Sequence, residues 1–272
     1  MQIQHNIQAI NSGRNLGINN SNLSKNLEKL SSGYRINRAG DDAAGLAISE
    51  QMRSQINGLN QAATNAQDAI GLIQTAEGAL TETHSMLQRM ITLTTQASNA
   101  TMNTTASANI KTEVDALLAE ITRIADYTDF NGTKPLKENG TMQFQIGPTS
   151  GEIITVNKQD MSTAILGTFS TADYEFTNQE NVNALLENIN TAINDVADYR
   201  ASLGAAQNRL EHTVNSLKVT SENIQAAESR IRDTNMPDEI TAFTKNNILL
   251  QAAQSMLSQS NAVPQSVLSL LG

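Results

Sequence analysis

The sequence predicts a mainly α-helical fold: an elongated antiparallel coiled-coil helix bundle with a small β-hairpin region and with its N- and C-terminal helices paired. Two long segments carry apolar residues at heptad spacing, whereas the middle of the chain carries turn signals and short alternating strands. Aromatic residues make up only 3% of the 272 residues. A compact globular enzyme usually packs more rings than that, so an elongated helical protein is favoured.

The strongest periodicity lies in the second half of the chain, where eight successive heptad positions are aliphatic. They are Val182, Ile189, Val196, Leu203, Leu210, Leu217, Ile224 and Ile231. A second column lies three residues further on, from Leu185 to Ala227. These a and d positions predict a single helix over 182–231, roughly 75 Å long at 1.5 Å per residue.

A matching seam in the first half predicts the partner of that helix. One column runs in steps of seven from Leu59 to Leu87, and the other begins at Ile56 and includes Glu77 and His84. His84 is predicted to be a tolerated polar seam position that helps to fix the register, with a buried pH-sensitive pair as the alternative.

The residues after this seam predict a third helix and then a change of structure. A helical pattern of apolar residues covers about 105–127. The segment 129–176 then contains Asn-Gly and Gly-Pro turn signals, and between them 142–146 and 153–156 read as short strands. One or two small hairpins capping the end of an antiparallel bundle are therefore expected.

Both termini are amphipathic and poor in charge. No charged residue occurs in 246–272, and the first 34 residues carry only four. Helices of this kind usually bury their apolar stripe against a partner, so these ends are expected to pair with each other, with other copies, or with both. The apolar residues expected to carry axial contacts between copies are Ile3, Ile7, Ile10, Leu23, Leu27, Leu30, Ile248, Leu249, Leu257, Val267, Leu268 and Leu271.

Composition and motifs argue against several functional classes. The net charge of −9 disfavours nucleic-acid binding, and the absence of cysteine removes disulfides, thiolate catalysis and cysteine-based zinc sites. No run of about 20 apolar residues could span a membrane, and the first residues do not form a Sec-type signal peptide, so export would need another route. The three histidines lack metal-ligand spacing and no phosphate or dinucleotide motif occurs, so no catalytic, metal or cofactor site is expected.

The adjacent carboxylates Asp41 and Asp42 could suggest a catalytic or metal-binding pair. They directly precede an alanine-rich helical run, where a carboxylate accepts hydrogen bonds from the first free backbone N–H groups. One of the two is therefore predicted to be an N-cap.

The sequence resembles bacterial flagellin along nearly its whole length. The motifs that carry the resemblance are LSSGYRINRAGDDAAGLAI at 30–48, TAEGAL at 75–80, LQR at 87–89, DFNG at 129–132, FQIG at 144–147, LGAAQNRL at 203–210 and AVPQSVLSLL at 262–271. They occur in the family's order at both ends. The resemblance implies a structural subunit, not an enzyme, that polymerises into the extracellular flagellar filament for motility and leaves the cell unfolded through the flagellar type III channel.

The resemblance also implies a division of the chain. Residues 1–41 and 235–272 would form a terminal helical inner-tube domain, 42–128 and 177–234 the long-helix bundle of the outer tube, and 129–176 its small β region. The chain would be a minimal member without the outer variable domains. A hook–filament junction protein of the same superfamily is the alternative, which the match of both ends to flagellin disfavours.

An enzyme and an adhesin are competing hypotheses from different classes of protein. Some flagellins carry a metalloprotease insert, but here the middle is short and has no histidine between His84 and His212. A secreted adhesive or receptor-binding coiled coil would not need two charge-poor termini.

Further partners follow from the resemblance alone. They are other copies of the chain, an export chaperone at the C-terminal region, the filament cap and junction proteins, and the vertebrate Toll-like flagellin receptor. Arg89, Leu93 and Glu113 match the family's receptor-contact positions, while 91–92 reads Ile-Thr where recognised flagellins usually have Arg-Glu.

Overall fold

A computed structural model describes residues 6–99, 103–162 and 179–271, with the backbone alone for 179, 265 and 267–271. Within these ranges the chain forms five helices and one antiparallel hairpin. The elements are α1 (Ile7–Ser32), α2 (Ala43–Ala97), α3 (Thr104–Tyr127), β1 (Gly140–Gln145), β2 (Ile153–Lys158), α4 (Gln179–Arg232) and α5 (Met236–Leu271). The predicted mainly helical fold with one small hairpin is therefore confirmed.

The chain divides into two compact units. The first consists of Met1–Ile56 and Glu222–Gly272, and the second of Asn57–Ser221. The helices α2 and α4 contribute residues to both units.

The core of the second unit is the predicted heptad seam of α4 packed against α2 and α3. The seam column from Val182 to Leu210 is buried at every position, and Leu217 is half-buried. The α3 residues of this core are spaced by three or four residues: Ile110, Val114, Leu118, Ile121 and Ala125. This spacing places one apolar stripe on the face of α3 that packs into the core.

The predicted register of the α2 seam is corrected at its second column. The first column, from Leu59 to Leu87, is buried as expected. The buried Thr94 continues this column by one heptad. The column that accompanies it lies three residues after each member instead of three before, and consists of Ala62, Ala69, Ala76, Thr83, Met90 and Ala97. Alanine and threonine pack closely against a neighbouring helix without leaving a charged group unpaired, whereas Glu77 and His84 are only half-buried.

Polar contacts fix the direction in which the helices of the second unit run. The Ser221 hydroxyl donates to Asn60 Oδ1 at 3.0 Å, and Arg200 pairs with Glu77 at 3.6 Å. Residue numbers therefore rise along α2 as they fall along α4, so these two helices are antiparallel.

The hairpin lies against both long helices of this unit. Gly140 pairs with Lys158 and Gln145 with Ile153, so the strands begin and end close to the predicted positions. The Tyr199 hydroxyl of α4 donates to the backbone carbonyl of Asn157 at 3.1 Å. On the other side, an added Cβ at Gly58 of α2 would lie 2.7 Å from Pro148, so this position requires glycine for the hairpin turn to approach the helix.

In the first unit α1 and α5 pair antiparallel to each other. Asn6 Nδ2 donates to the carbonyl of Ser260 at 2.7 Å, and Asn19 Nδ2 donates to that of Leu249 at 3.4 Å. Further along the same pair Asn26 is buried. The two termini therefore pair with each other, which is one of the arrangements that the sequence allows.

Local capping explains where α1 ends and α2 begins. Gly33 ends α1 at a φ of 74°, and its N–H donates to the Lys29 carbonyl. Asp42 Oδ1 accepts from Gly45 N at 2.9 Å, which is the predicted N-cap of α2. Asp41 instead accepts from two N–H groups of the preceding turn, and these bonds hold the pKa of its carboxyl below the usual range.

The depth of the seam predicts a large loss of stability when it is truncated. Leu203 is fully buried, so Leu203→Ala should reduce the free energy of unfolding by about 2–5 kcal/mol through the lost transfer energy and the cavity left behind. Urea unfolding of the monomer by circular dichroism measures it. Val219→Ala removes an exposed aliphatic side chain of the same helix and should change stability by less than about 0.5 kcal/mol. Equal losses in the two variants would contradict a core position for Leu203.

Candidate assembly surface on the terminal helices

One face of α1 presents large apolar side chains to solvent. Ile7, Ile10 and Ile18 are each more than half exposed, at 56%, 60% and 51%. Spacings of three, eight and eleven residues place all three on one side of a helix with 3.6 residues per turn. An aligned row of exposed isoleucines is unfavourable in water and is typical of an interaction surface.

The helix α5 has a similar exposed face. Ile248 and Met256 are eight residues apart and are each 60% exposed, and Leu249 beside them is 40% exposed. The antiparallel pair of α1 and α5 thus buries one stripe between its two helices and leaves further apolar residues uncovered.

The structure sorts the predicted axial residues into two groups. Leu23, Leu30 and Leu257 are half-buried, while Ile7, Ile10, Leu27, Ile248 and Leu249 are exposed. Leu23 and Leu30 lie three before and four after the buried Asn26, so they belong to the side of α1 that meets α5. Ile3 lies outside the described residues, and Val267, Leu268 and Leu271 lie in α5 where only the backbone is described.

Ile18 and Met256 belong to the exposed faces but were not among the predicted residues. Ile18 lies eight residues after Ile10 and Met256 eight residues after Ile248, and this spacing places each on the same helix face as the earlier residue. Hydrophobicity alone could not separate them from the buried stripe, because both stripes of these helices are apolar.

Charge is distributed unequally between the two units. The first unit contains nine basic and nine acidic side chains, so its formal charge is zero. The second contains nine basic and eighteen acidic side chains, so it carries the whole net charge of −9. Copies can therefore approach through the first unit without net charge repulsion.

A set of contacts, here called the clasp, joins the α1–α2 connection to the end of α4 within the first unit. Arg35 N donates to the Arg232 carbonyl at 2.7 Å, and Thr234 N donates to the Gly33 carbonyl at 3.0 Å. The Arg232 guanidinium lies 4.8 Å from the centre of the Tyr34 ring and pairs with Glu50 at 2.6 Å. These contacts hold the α1–α2 connection beside the α4–α5 connection. The ends of α1 and α5 that adjoin these connections therefore lie next to each other.

The electrostatics of the clasp follow from the Arg232 side chain. Its hydrogen bond to Glu50 lowers the pKa of that carboxyl below the usual range. Glu50 therefore remains ionised, and the pair persists, at pH values where a free glutamate is already protonated.

The residues that match receptor-contact positions lie together on α2 and α3. Arg89 Nε and Nη2 both donate to Glu113 Oε1, at 3.0 and 2.8 Å, and both side chains are about half exposed. Leu93 is only 3% exposed and belongs to the core. In this conformation the accessible part of the set is the Arg89–Glu113 pair.

No group of three or more metal-ligating side chains is assembled among the described residues. None of the helices, within the same residues, is long and apolar enough to cross a membrane.

Comparison with known proteins matches both ends of the chain to one family. The family models described as the bacterial flagellin N-terminal helical region and C-terminal helical region match residues 3–141 and 186–271. A flagellin of Halalkalibacterium halodurans is 51% identical over 272 residues, and a flagellin of Bacillus subtilis is 49% identical over 306 aligned positions. Each alignment covers the whole of both chains.

Solved structures agree with the fold. The crystal structure of Bacillus cereus flagellin is 31% identical, with a TM-score of 0.51 over 61% of this chain and 94% of that one. A putative flagellar hook-associated protein from Vibrio parahaemolyticus gives a TM-score of 0.60 over 71% of this chain and all of that one. At 12% identity the second structure supports the fold alone.

Paired terminal helices with uncovered apolar faces, together with a heptad-packed bundle, define a structural protein of the self-assembling coiled-coil class. The matches identify the class further: the chain belongs to the bacterial flagellin family. It is a structural subunit of the flagellar filament, which lies outside the cell.

The clasp can be tested through its own backbone amides. In Arg232→Met the ion pair and the contact with Tyr34 are lost, so exchange of the Arg35 and Thr234 amide hydrogens should become several-fold faster. Hydrogen exchange with mass spectrometry measures this on the monomer. Arg53→Met is the matched control, since Arg53 also pairs with Glu50 but does not touch the connections.

The clasp should also depend on pH in one direction. Because the pKa of Glu50 is lowered in the folded chain, its stabilising effect is complete above the ordinary pKa of glutamate and is lost as the pH falls through the folded value. The difference in amide exchange between the wild type and Glu50→Gln should therefore disappear in acid. A difference that persists there would contradict the ion pair as its cause.

Proposed function

We propose that the subunit polymerises through the exposed apolar faces of α1 and α5, each face packing against the terminal helices of neighbouring copies. The row of Ile7, Ile10 and Ile18 is the observation that carries this proposal. Fully burying one such side chain contributes about 1.5–3 kcal/mol, so a few of them offset a substantial part of the cost of association.

The geometry of the pair supports an open polymer. The exposed faces of α1 and α5 belong to different helices and have different side chains. A contact that joins the α1 face of one copy to the α5 face of the next, without the reciprocal contact between the same two copies, is head-to-tail. Head-to-tail contacts whose rotation does not close produce a helical filament. Under this proposal the terminal segments 1–41 and 235–272 line the inside of the filament and the segments between them lie outside.

The route out of the cell is a second part of the proposal. We infer that the chain is exported unfolded through the flagellar type III channel, after a chaperone has covered its C-terminal region. The exposed apolar face of α5 supports a chaperone contact, because an amphipathic helix binds readily in an apolar groove. The filament cap and junction proteins are proposed partners at the two ends of the polymer, on the resemblance to flagellin.

The vertebrate Toll-like receptor is a proposed partner of the α2–α3 face. The exposed side chains of Arg89 and Glu113 support this contact. Leu93 is buried, so it would influence receptor binding only by fixing the position of α2. The role of the chain in these contacts is structural and recognitional, not catalytic.

Removal of two isoleucines from the α1 face should weaken assembly without unfolding the monomer. In Ile10→Ser/Ile18→Ser two exposed aliphatic side chains are lost, so the critical concentration for salt-induced polymerisation should rise by at least about tenfold. Sedimentation and negative-stain electron microscopy after seeding measure it. Val219→Ser provides the matched control, since it removes an equally exposed aliphatic side chain from α4.

Truncation after Asp238 tests the contribution of α5. The truncated chain should form no filaments under conditions in which the intact chain forms long ones. Normal filaments from the truncated chain, or an unchanged critical concentration in the α1 double variant, would refute assembly through the terminal helices.

A charge swap separates receptor contact from stability. Arg89→Glu/Glu113→Arg retains an ion pair between α2 and α3, so the free energy of unfolding should change by less than about 1 kcal/mol. Receptor signalling by the monomer, measured in a reporter cell line, should nevertheless fall because both exposed charges are reversed. Unchanged signalling would remove Arg89 and Glu113 from the proposed contact.

A further inference from the structure

The chain contains three Asn-Gly pairs in three different structural settings. They are Asn57-Gly58 within α2, Asn131-Gly132 in a tight turn and Asn139-Gly140 at the start of β1. Asparagine followed by glycine is chemically labile because the glycine has no side chain to hinder attack of its backbone nitrogen on the asparagine amide. The surroundings of each pair then decide whether that attack occurs in the folded chain.

We propose that Asn131 is the site at which the folded subunit deamidates spontaneously, and that Asn57 and Asn139 are protected. In the reaction the Gly132 nitrogen forms a bond to Asn131 Cγ, and the side-chain amide leaves as ammonia with the proton from Gly132. Water then opens the resulting succinimide ring at either carbonyl. The products are aspartate and isoaspartate at position 131, each with one additional negative charge.

The turn at Asn131 leaves both reacting groups free. Asn131 has a φ of 50° and Gly132 a φ of 83°, and the turn is closed by two 3.0 Å hydrogen bonds between Phe130 and Thr133. These bonds engage the backbone N–H and carbonyl groups of the two residues that flank the Asn-Gly pair. Within the described residues neither the Gly132 N–H nor the Asn131 side chain has a hydrogen-bond partner, and both residues are exposed to water.

The setting of Asn57 opposes the same reaction. The Gly58 N–H lies inside a long α-helix, where it is held by the carbonyl four residues earlier. Gly58 is also packed closely against Pro148. The rotation needed for ring closure would break the helix and this contact, so it requires local unfolding.

Asn139 is protected in a different way. Its Oδ1 accepts a 3.0 Å hydrogen bond from Asp160 N, so its side chain is held by a partner other than the following residue. Gly140 lies opposite Lys158 in the hairpin ladder. Both contacts must be given up before the Asn139 amide can meet the Gly140 nitrogen.

The modification would alter a cavity in the second unit. Asn131 lines a cavity of about 590 Å³ together with Asp68, Phe130 and Phe144. A carboxylate at position 131 adds a second negative charge to the cavity wall, in addition to that of Asp68. Isoaspartate also adds a backbone carbon to a turn of two residues, which disturbs the hydrogen bonds between Phe130 and Thr133.

Incubation of the purified full chain at mildly alkaline pH and 37 °C tests the proposal. Peptide mapping by mass spectrometry follows the amide-to-acid mass shift at each of the three asparagines, and isoaspartate is recognised by its separate elution. Conversion at Asn131 should be at least about tenfold faster than at Asn57 or Asn139. In chain unfolded by denaturant, the three rates should come together.

The controls are Asn131→Gln, which should show no early conversion, and Asn131→Asp, which marks the elution of the aspartate product. Early conversion at Asn131 alone supports the proposal. Conversion at Asn57 or Asn139 as fast as at Asn131 overturns it. An intact Asn131 in the folded chain, whether or not the unfolded chain converts, also overturns it.

Discussion

The structure of the second unit depends on the burial of one aliphatic seam. Leu80, Leu87, Leu203 and Leu210 are completely buried, and together with the α3 stripe they form a continuous core. Because the chain has no cysteine and few aromatic rings, aliphatic burial in this core is the main favourable contribution to the folding of the second unit. The hairpin adds Met142, Ile154 and Val156 to this core. It is also held in place through Tyr199 and through the close approach at Gly58.

Single polar residues within apolar seams give the helices their register. In the amide orientation that matches its neighbours, Asn26 donates to Glu239 and Asn22 and accepts from Phe243 N and Asn246. A shift of α1 along α5 would bury this amide without its partners, at a cost of about 1–3 kcal/mol. Ser221 with Asn60 acts similarly in the second unit. A seam of aliphatic residues alone would allow such shifts at little cost.

The sequence predicts an element correctly where the spacing of its apolar residues and the chemistry of its side chains indicate the same structure. The column from Val182 to Leu210, the hairpin and a cap of α2 by Asp41 or Asp42 could be predicted because each depends on local spacing. The second α2 column could not, because alanines at 62, 69 and 76 carry a weak hydrophobic signal while half-buried Ile70 and Ile91 carry a strong one. For α1 and α5 the sequence predicts the apolar residues but does not divide them into buried and exposed ones, since only the observed pairing shows which side chains are covered within the chain.

Filament subunits must attract each other at one surface and remain soluble before assembly. This chain separates the two requirements, because the first unit is formally neutral with uncovered isoleucines while the second carries the net charge of −9. Apolar attraction acts only over short distances, whereas repulsion between second units extends over the Debye length of about 10 Å at 0.1 M salt. Added salt therefore shortens the range of the electrostatic repulsion and leaves the apolar attraction intact. Under the proposed assembly through the terminal helices, the same distribution would keep isolated subunits apart at low ionic strength and would permit growth once neighbouring terminal helices touch.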